Sequence, residues 1–305
     1  MIPLISSISY GPAGLCHLPR FWWKVSLRAR DLLAEDYPEC SGGLDTKLLE
    51  QLGVEPEKAI EHIHGQLPNY LEFETWILAQ SDKAEVIAPE WNSDIRERVH
   101  TRPHKLAEIY ATLGWDDSTG PAATAGEHPT SAVILNHLED WHFFYHRDIQ
   151  QSLLDNLKGK IVPLISSIDY GPLEVCHLPR TWQKLLLGAR ALLHSDYPDF
   201  TNGLDRMVIE ETLGLDRLRT IEFVRDEQPD YLGFEAWVVN ELGGNRDDDA
   251  IAAWNKSIRN RIHKEGKRTE ILSAISLPDD GSLISAVVLN QIEDWHFAHT
   301  SLIAD

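Results

Sequence analysis

The sequence of 305 residues contains few cysteines and no long apolar run. Its three cysteines, Cys16, Cys40 and Cys176, are an odd number without metal-type spacing. This argues against a disulfide framework and is typical of proteins in a reducing cytoplasm. No stretch approaches the roughly 18 consecutive apolar residues of a membrane helix, and residues 1–6 lack the basic segment that opens a signal peptide. We therefore predict a cytoplasmic protein without membrane contact.

Basic residues are also scarce, since 28 Lys and Arg stand against 48 Asp and Glu, a formal charge of −20. The first 160 residues hold 14 basic and 24 acidic residues, so each half carries an excess of −10. Such a surface repels nucleic acid and anionic lipid, and we expect neither as a partner. The sequence contains no glycine-rich phosphate loop, no Rossmann fingerprint and no Gly-x-Ser-x-Gly nucleophile elbow. These absences argue against nucleotide cofactors and the common hydrolase classes.

The chain does contain a duplication with an offset of about 160 residues. LISSISYGP at 4–12 returns as LISSIDYGP at 164–172, CHLPR at 16–20 returns at 176–180, and EDWHF at 139–143 returns at 293–297. Solenoid repeats have periods of roughly 20–50 residues, so two domain-sized copies indicate a tandem duplication. We predict two homologous domains, residues 1–153 and 160–305, in a pseudo-twofold arrangement like that of a homodimer.

The periodicity of apolar residues predicts an all-α fold. Phe21, Trp22 and Val25 share one face of a helix that begins after Pro19. Asp45 is typical of an N-cap for a helix over residues 46–52. Further helices are expected from near residue 56, around 70–76, from about 88 to 99 and from 130 to about 150. The only candidate extended segment is residues 2–8, and a loop is expected at 116–129.

The order of motifs in each half resembles a bacterial family of unknown function, the domain numbered 5069. The residues that carry the resemblance are Gly11, Pro12, His17, Leu18, Pro19, Arg20, Trp22, Lys24, Ala29, Arg30, Gly43, Leu44, Asp45, Leu52, Gly53, Trp91 and Asn92, with equivalents in the second half. Members of the family are usually single domains, so the fusion departs from their pattern. The resemblance implies a compact helical domain and assigns no catalytic residues.

The first candidate group lies on the first helix, where Arg20 and Lys24 are one turn apart and point away from the apolar stripe. They form either a solvated face or a covered pair that must meet carboxylates, the protein's own or a ligand's. His17 precedes them, and it recurs as His177 in the second half.

The second group is the row Asn92, Arg96 and His100, whose spacing of four residues places it on one side of a helix beside Trp91. Asn, Arg and His side chains fix polar ligands, and histidine exchanges protons near neutral pH. The alternative is an ordinary polar helix face.

The third group is Glu139, His142 and His146 on the last helix of the first half. Glu-x-x-His is the pattern of di-iron bundles, and the second half supplies Glu293 and His296. In the alternative interpretation, this segment is a packed helix end whose Glu and His bond to neighbouring backbone.

These groups predict a small-molecule enzyme without a nucleotide cofactor that uses acid–base chemistry, as an isomerase, lyase or cyclase does, on a substrate that is anionic if Arg20 and Lys24 bind it. The candidate catalytic residues are His142, Glu139, His100 and His17. The candidate substrate-binding residues are Arg20, Lys24, Asn92, Arg96, Trp91 and Tyr10. The alternatives are a non-catalytic module that binds a protein or metabolite, and a metal-dependent, di-iron-like oxygenase. No cofactor is predicted for the leading function, whereas the oxygenase needs iron or another divalent metal.

Overall fold

The computed structural model describes residues 1–116, 120 and 127–304, and the regular elements in these ranges are helices. The predicted all-α fold is confirmed. Strand-like pairing within the same ranges is limited to three isolated bridges. The helices of the first half are α1 (Leu18–Ala29), α2 (Leu44–Leu52), α3 (Pro56–Gln66), α4 (Tyr70–Gln80), α5 (Ala84–Glu97), α6 (Pro103–Thr112) and α7 (Ala132–Phe143), which continues as a π-helical turn (Phe144–Ile149).

The second half follows the same order after a short 3₁₀ turn, Asp155–Leu157. Its helices are α8 (Leu178–Ala189), α9 (Leu204–Arg206) with a π-helical turn (Met207–Thr212), α10 (Arg217–Glu227), α11 (Tyr231–Leu242), α12 (Asp248–Arg259), α13 (Glu265–Ala274) and α14 (Ala286–Leu302). No helix of the described ranges is both long and apolar enough to cross a lipid bilayer. The proposed domain boundaries stay a prediction.

Helix α1 lies at the centre of the first half. Pro19 occupies its first turn, where a missing N–H costs nothing and the fixed φ suits a helix. Burial is not confined to the apolar stripe, because Arg20 and Lys24 are covered together with Phe21 and Trp22. The polar face of α1 therefore faces other parts of the protein, and its charges need partners there.

The last helix of each half contacts the opposite half through equivalent residues. Trp141 of α7 packs edge-on against Tyr231 of α11 with ring centroids 4.6 Å apart, and Trp295 of α14 packs against Tyr70 of α4, also at 4.6 Å. His299 Nε2 donates to the carbonyl of Leu67 at 3.0 Å. The two halves thus share one continuous core.

Several local predictions need correction. Gly43, not Asp45, is the N-cap of α2, so Asp45 lies inside the first turn. Residues 2–8 form no strand and run as buried, irregular chain. The helix expected from about residue 88 begins at Ala84 and ends at Glu97. The last helix of the first half stops being α-helical at Phe143. Part of the predicted loop at 116–129 lies outside the described residues.

Candidate functional site

A cavity of about 580 Å³ opens in the first half between α1, the start of α2, α7 and the segment before α6. Five predicted site residues line it: His17, Arg20, Lys24, His100 and Glu139. A space of this size accommodates a small metabolite.

Asp45 forms the floor of this cavity. Its side chain is completely buried, and its Oδ1 accepts a hydrogen bond from His17 Nε2 at 2.9 Å. Its Oδ2 accepts from Lys24 Nζ and, at 2.8 Å each, from the backbone N–H and hydroxyl of Ser41. Burial alone raises the pKa of Asp45, but the hydrogen bonds from His17 and Lys24 and the charge of Lys24 hold that pKa far below its usual range. Asp45 is therefore ionised.

Burial favours the neutral form of the His17 ring. Burial lowers the pKa of His17 although the neighbouring Asp45 carboxylate opposes this. Because Nε2–H donates to Asp45, Nδ1 is the acceptor, and it lies 3.2 Å from the hydroxyl of Ser7. The backbone of His17 is left-handed, with φ of 74°, at the N-cap of α1. The ring thus joins the N-terminal segment to α2.

Both terminal nitrogens of Arg20 contact protein groups. Its Nη1 lies 2.8 Å from Asp140 Oδ2 and donates to the carbonyls of Pro3 at 3.1 Å and Ile5 at 2.7 Å. Its Nη2 donates to the hydroxyl of Tyr37, which in turn donates to Asp140 Oδ1 at 2.8 Å. Arg20 and Lys24 are therefore a covered pair that meets the protein's own carboxylates, Asp140 and Asp45, and not a solvated face.

The second half repeats these networks. His177 Nε2 lies 3.1 Å and Lys184 Nζ 2.6 Å from the carboxylate of Asp205. Arg180 Nη1 lies 2.8 Å from Asp294 Oδ2. Equal contacts in both copies indicate that the networks hold the fold, whatever else either copy does.

Glu139 and His100 line the outer part of the cavity. Glu139 Oε1 lies 3.6 Å from Lys105 Nζ, and its side chain is 24% exposed. Burial raises the pKa of Glu139, and Lys105 only partly opposes this. His100 Nε2 donates to Asn136 Oδ1 at 3.3 Å, one helical turn before Glu139 on α7.

His100 is suited to accept a proton. Burial lowers the pKa of His100, and the hydrogen bond to Asn136 opposes this only in part. With Nε2–H directed at Asn136, the ring's acceptor atom is Nδ1. A neutral imidazole and a carboxyl with a raised pKa are the kinds of group that general base and general acid catalysis use.

The rest of the second predicted row lies elsewhere. Asn92 Oδ1 accepts from the backbone N–H of Cys16 at 2.9 Å, and Trp91 Nε1 donates to the Cys16 carbonyl at 2.9 Å. The Arg96 guanidinium stacks 5.9 Å from the centre of the Tyr10 ring. These four residues clamp α5 to the loop before α1 and do not line the cavity.

His100 is separated from that row because α5 ends at Glu97. Its backbone N–H instead donates to the carbonyl of Thr130 at 2.8 Å. The prediction that Asn92, Arg96 and His100 lie on one helix is therefore wrong for His100. The chain leaves the helix after Glu97, and this change of direction brings His100 to the cavity.

His142 lies outside the cavity lining, at the junction of the halves. Its ring centroid lies 4.2 Å from that of His146, with the two rings tilted by 50°. Burial and then the charge of His146 lower the pKa of His142, and the charge of Asp230 opposes them. Glu139 pairs with Lys105 rather than with His142. The π-helical turn that begins at Phe144 also takes His146 out of the expected α-helical spacing. The catalytic role of His142 stays a prediction that this placement does not support.

The described residues contain no group of three or more His, Cys, Asp and Glu side chains placed as metal ligands. The metal-dependent alternative stays a prediction.

Sequence reasoning missed several residues that build the cavity. Asp140 and Tyr37 complete the Arg20 network, while Lys105 and Asn136 hold Glu139 and His100. A signal existed in the duplication, because Asp140, Tyr37 and Asn136 recur as Asp294, Tyr197 and Asn290.

Comparison of the chain with protein-family models, with curated proteins and with solved structures finds no match. The resemblance to the family numbered 5069 thus rests on the quoted residues alone and is untested.

Proposed function

We propose that the cavity of the first half binds a small anionic molecule and that Glu139 and His100 move a proton on it, as in an isomerase, lyase or cyclase. The observation that carries this proposal is the position of Glu139. Its carboxyl, with a raised pKa, lies beside Lys105 and one turn from the Asn136–His100 hydrogen bond, inside a cavity large enough for a metabolite.

The charge of the lining supports an anionic ligand. The chain carries −20, yet the cavity is lined by five Lys and Arg against four Asp and Glu. Ion pairs join Arg20 to Asp140, Lys24 to Asp45, Arg147 to Asp36 and Lys105 to Glu139. Arg98 takes part in no ion pair with the residues that the structure describes, and when Glu139 is protonated the charge of Lys105 is uncompensated as well. A carboxylate or phosphate would neutralise this excess.

Each residue then has a distinct task. Arg98 and Lys105 attract and hold the anion, Glu139 donates or removes a proton, and His100 acts as the second proton carrier. His17 and Asp45 keep the floor in place, because their polar atoms are used by protein groups. No metal or other cofactor takes part in this proposal.

Proton transfer is testable by solvent exchange. The protein is incubated in D₂O with small 2-oxo acids, 2-hydroxy acids and their phosphate esters, and deuterium incorporation is followed by NMR. Glu139→Gln, which keeps the size of the side chain, should lower the exchange rate by about 100-fold or more. The matched control is Glu293→Gln in the second half. Exchange by Glu139→Gln at the wild-type rate would overturn the proposal.

A non-catalytic binding module is the second candidate. It is favoured by the networks of Asp45 and Asp205, whose equal contacts in both halves require only a structural role. In that case the wild-type protein binds a small anion stoichiometrically but exchanges no protons. Unchanged affinity of Glu139→Gln together with absent exchange in the wild type would establish it.

We further infer that the halves are two domains related by a pseudo-twofold axis. The equivalent contacts Trp141–Tyr231 and Trp295–Tyr70 support this relation. A cytoplasmic location and the absence of nucleic-acid partners are inferred from the three unpaired cysteines and the charge of −20.

A further inference from the structure

A second cavity of about 530 Å³ adjoins the first. The two share Gly43, Arg98, His100 and Lys105. They therefore form one continuous cleft, and a ligand seated beside Glu139 has room to extend into the second cavity.

The second cavity is lined by cations. Lys47 and Arg102 join Arg98 and Lys105 there, and its lining contains no Asp or Glu. Within the described ranges, no ion pair engages Lys47, Arg98 or Arg102, and the pair of Lys105 with Glu139 is long, at 3.6 Å. Lys47, Arg98 and Arg102 are exposed, and Lys105 is only loosely paired. In a chain of charge −20, this group of four cations makes a locally positive surface that attracts a solute anion.

We propose that the second cavity binds the phosphate group of a phosphorylated metabolite, whose carbon skeleton extends to Glu139 and His100. A phosphate monoester carries close to two negative charges at neutral pH and offers three strong acceptor oxygens. Arginine presents a planar fork of donors to such oxygens, and lysine adds a compact charge. The placement of the carbon skeleton rests on the proposed proton-transfer function, whereas the phosphate site rests on the second cavity alone.

The two halves differ at this site. Lys47 of α2 corresponds to Met207, and Arg147, which lines the first cavity, corresponds to Ser301. The cleft of the first half thus has two cations that its counterpart lacks. This difference assigns the phosphate site to the first half. It also suggests Lys47→Met as a test, because the second half already has a methionine at the equivalent position.

The test is a calorimetric titration of the full-length protein with inorganic phosphate at low ionic strength, where screening is weakest. Lys47→Met should weaken phosphate binding about tenfold, since one charge-assisted hydrogen bond is lost. Arg98→Ala should weaken it at least as much. The matched control is Lys256→Met on α12, an exposed helical lysine remote from the cleft, which should change affinity by less than about twofold. Circular dichroism confirms that each variant is folded.

Malonate is the comparison ligand, because it carries two carboxylates instead of a phosphate. Tighter binding of phosphate than malonate, lost in Lys47→Met but not in Lys256→Met, supports the inference. Binding of malonate alone, or phosphate binding that Lys47→Met and Arg98→Ala leave unchanged, overturns it. Phosphate binding without deuterium exchange would leave the phosphate site standing and remove the proton-transfer function. Deuterium exchange on unphosphorylated acids without phosphate binding would support the proton-transfer function and overturn the phosphate site.

Discussion

Replacing Asp45 with asparagine should destabilise the protein strongly. The substitution keeps the size of the side chain but removes the charge that faces Lys24 and introduces an amide that donates where Asp45 only accepts. Lys24 is 3% exposed and His17 is 3% exposed, so water cannot take over as partner for either. Burial already lowers the pKa of Lys24 against the opposing charge of Asp45. Without that carboxylate, the folded protein must hold a buried ammonium without a counter-charge or release its proton.

The size of the effect follows from these contacts. Removing one partner of a buried ion pair costs about 3–5 kcal/mol, a large part of the roughly 5–15 kcal/mol that stabilises a typical domain. Asp205→Asn should cost a similar amount, because Lys184 and His177 make the same contacts in the second half. Adding Lys24→Met to Asp45→Asn should restore at least about 1 kcal/mol, since the unpaired charge is then gone.

Urea unfolding followed by circular dichroism measures all four proteins. Two results would refute the reasoning. One is an Asp45→Asn protein within about 1 kcal/mol of wild type, far below the cost of an unpaired buried charge. The other is a Lys24→Met, Asp45→Asn double variant less stable than Asp45→Asn alone, which would mean that Lys24 is stabilised by something other than this carboxylate.

Three further predictions concern other parts of the chain. Burial raises the pKa of Glu235 to about 7. The folded state therefore keeps a proton that the unfolded state releases above pH ~4.3. As the pH rises from about 4.3 to about 7, this group lowers the free energy of unfolding. The stability of Glu235→Gln relative to wild type should therefore increase by about 3 kcal/mol between pH 4.5 and 7.5 in urea titrations, and a difference independent of pH would contradict this. His142→Ala should leave phosphate affinity within about twofold, since His142 lies outside both cavities; a loss of binding in calorimetry would place it in the site. Trp141→Ala and Trp295→Ala should each lower the free energy of unfolding by about 3–5 kcal/mol. If the two losses measured in urea titrations differ by more than about 2 kcal/mol, the two contacts are not equivalent.

The sequence predicted the all-α fold class because that class depends on local patterns. The apolar stripe of α1 is visible at 3.6-residue spacing, and the charges opposite it follow from the same geometry. The requirement that covered Arg20 and Lys24 meet carboxylates was also derivable. Which carboxylates they meet was not, because Asp45 and Asp140 are distant in sequence and become neighbours only through packing.

Other features carry no local signal. In a duplicated chain, Trp141 has equivalent partners available in both halves, and sequence alone does not distinguish packing within a half from packing across them. The α-helical pattern continues past Glu97 in sequence, yet the chain bends there and brings His100 to Asn136. Propensity likewise gives no sign of the π-helical turn at Phe144–Ile149.

The contacts of each last helix with the opposite half have a consequence for synthesis on the ribosome. Tyr70 and Leu67 emerge early, but their partners Trp295 and His299 are added more than 220 residues later. At about 5–20 residues per second, this delay is roughly 10–45 s. During that interval the side of Tyr70 that Trp295 later covers is exposed in the nascent first half. We expect the protein to rely on chaperones, or on rapid completion of the chain, to escape pairing with a neighbouring nascent copy.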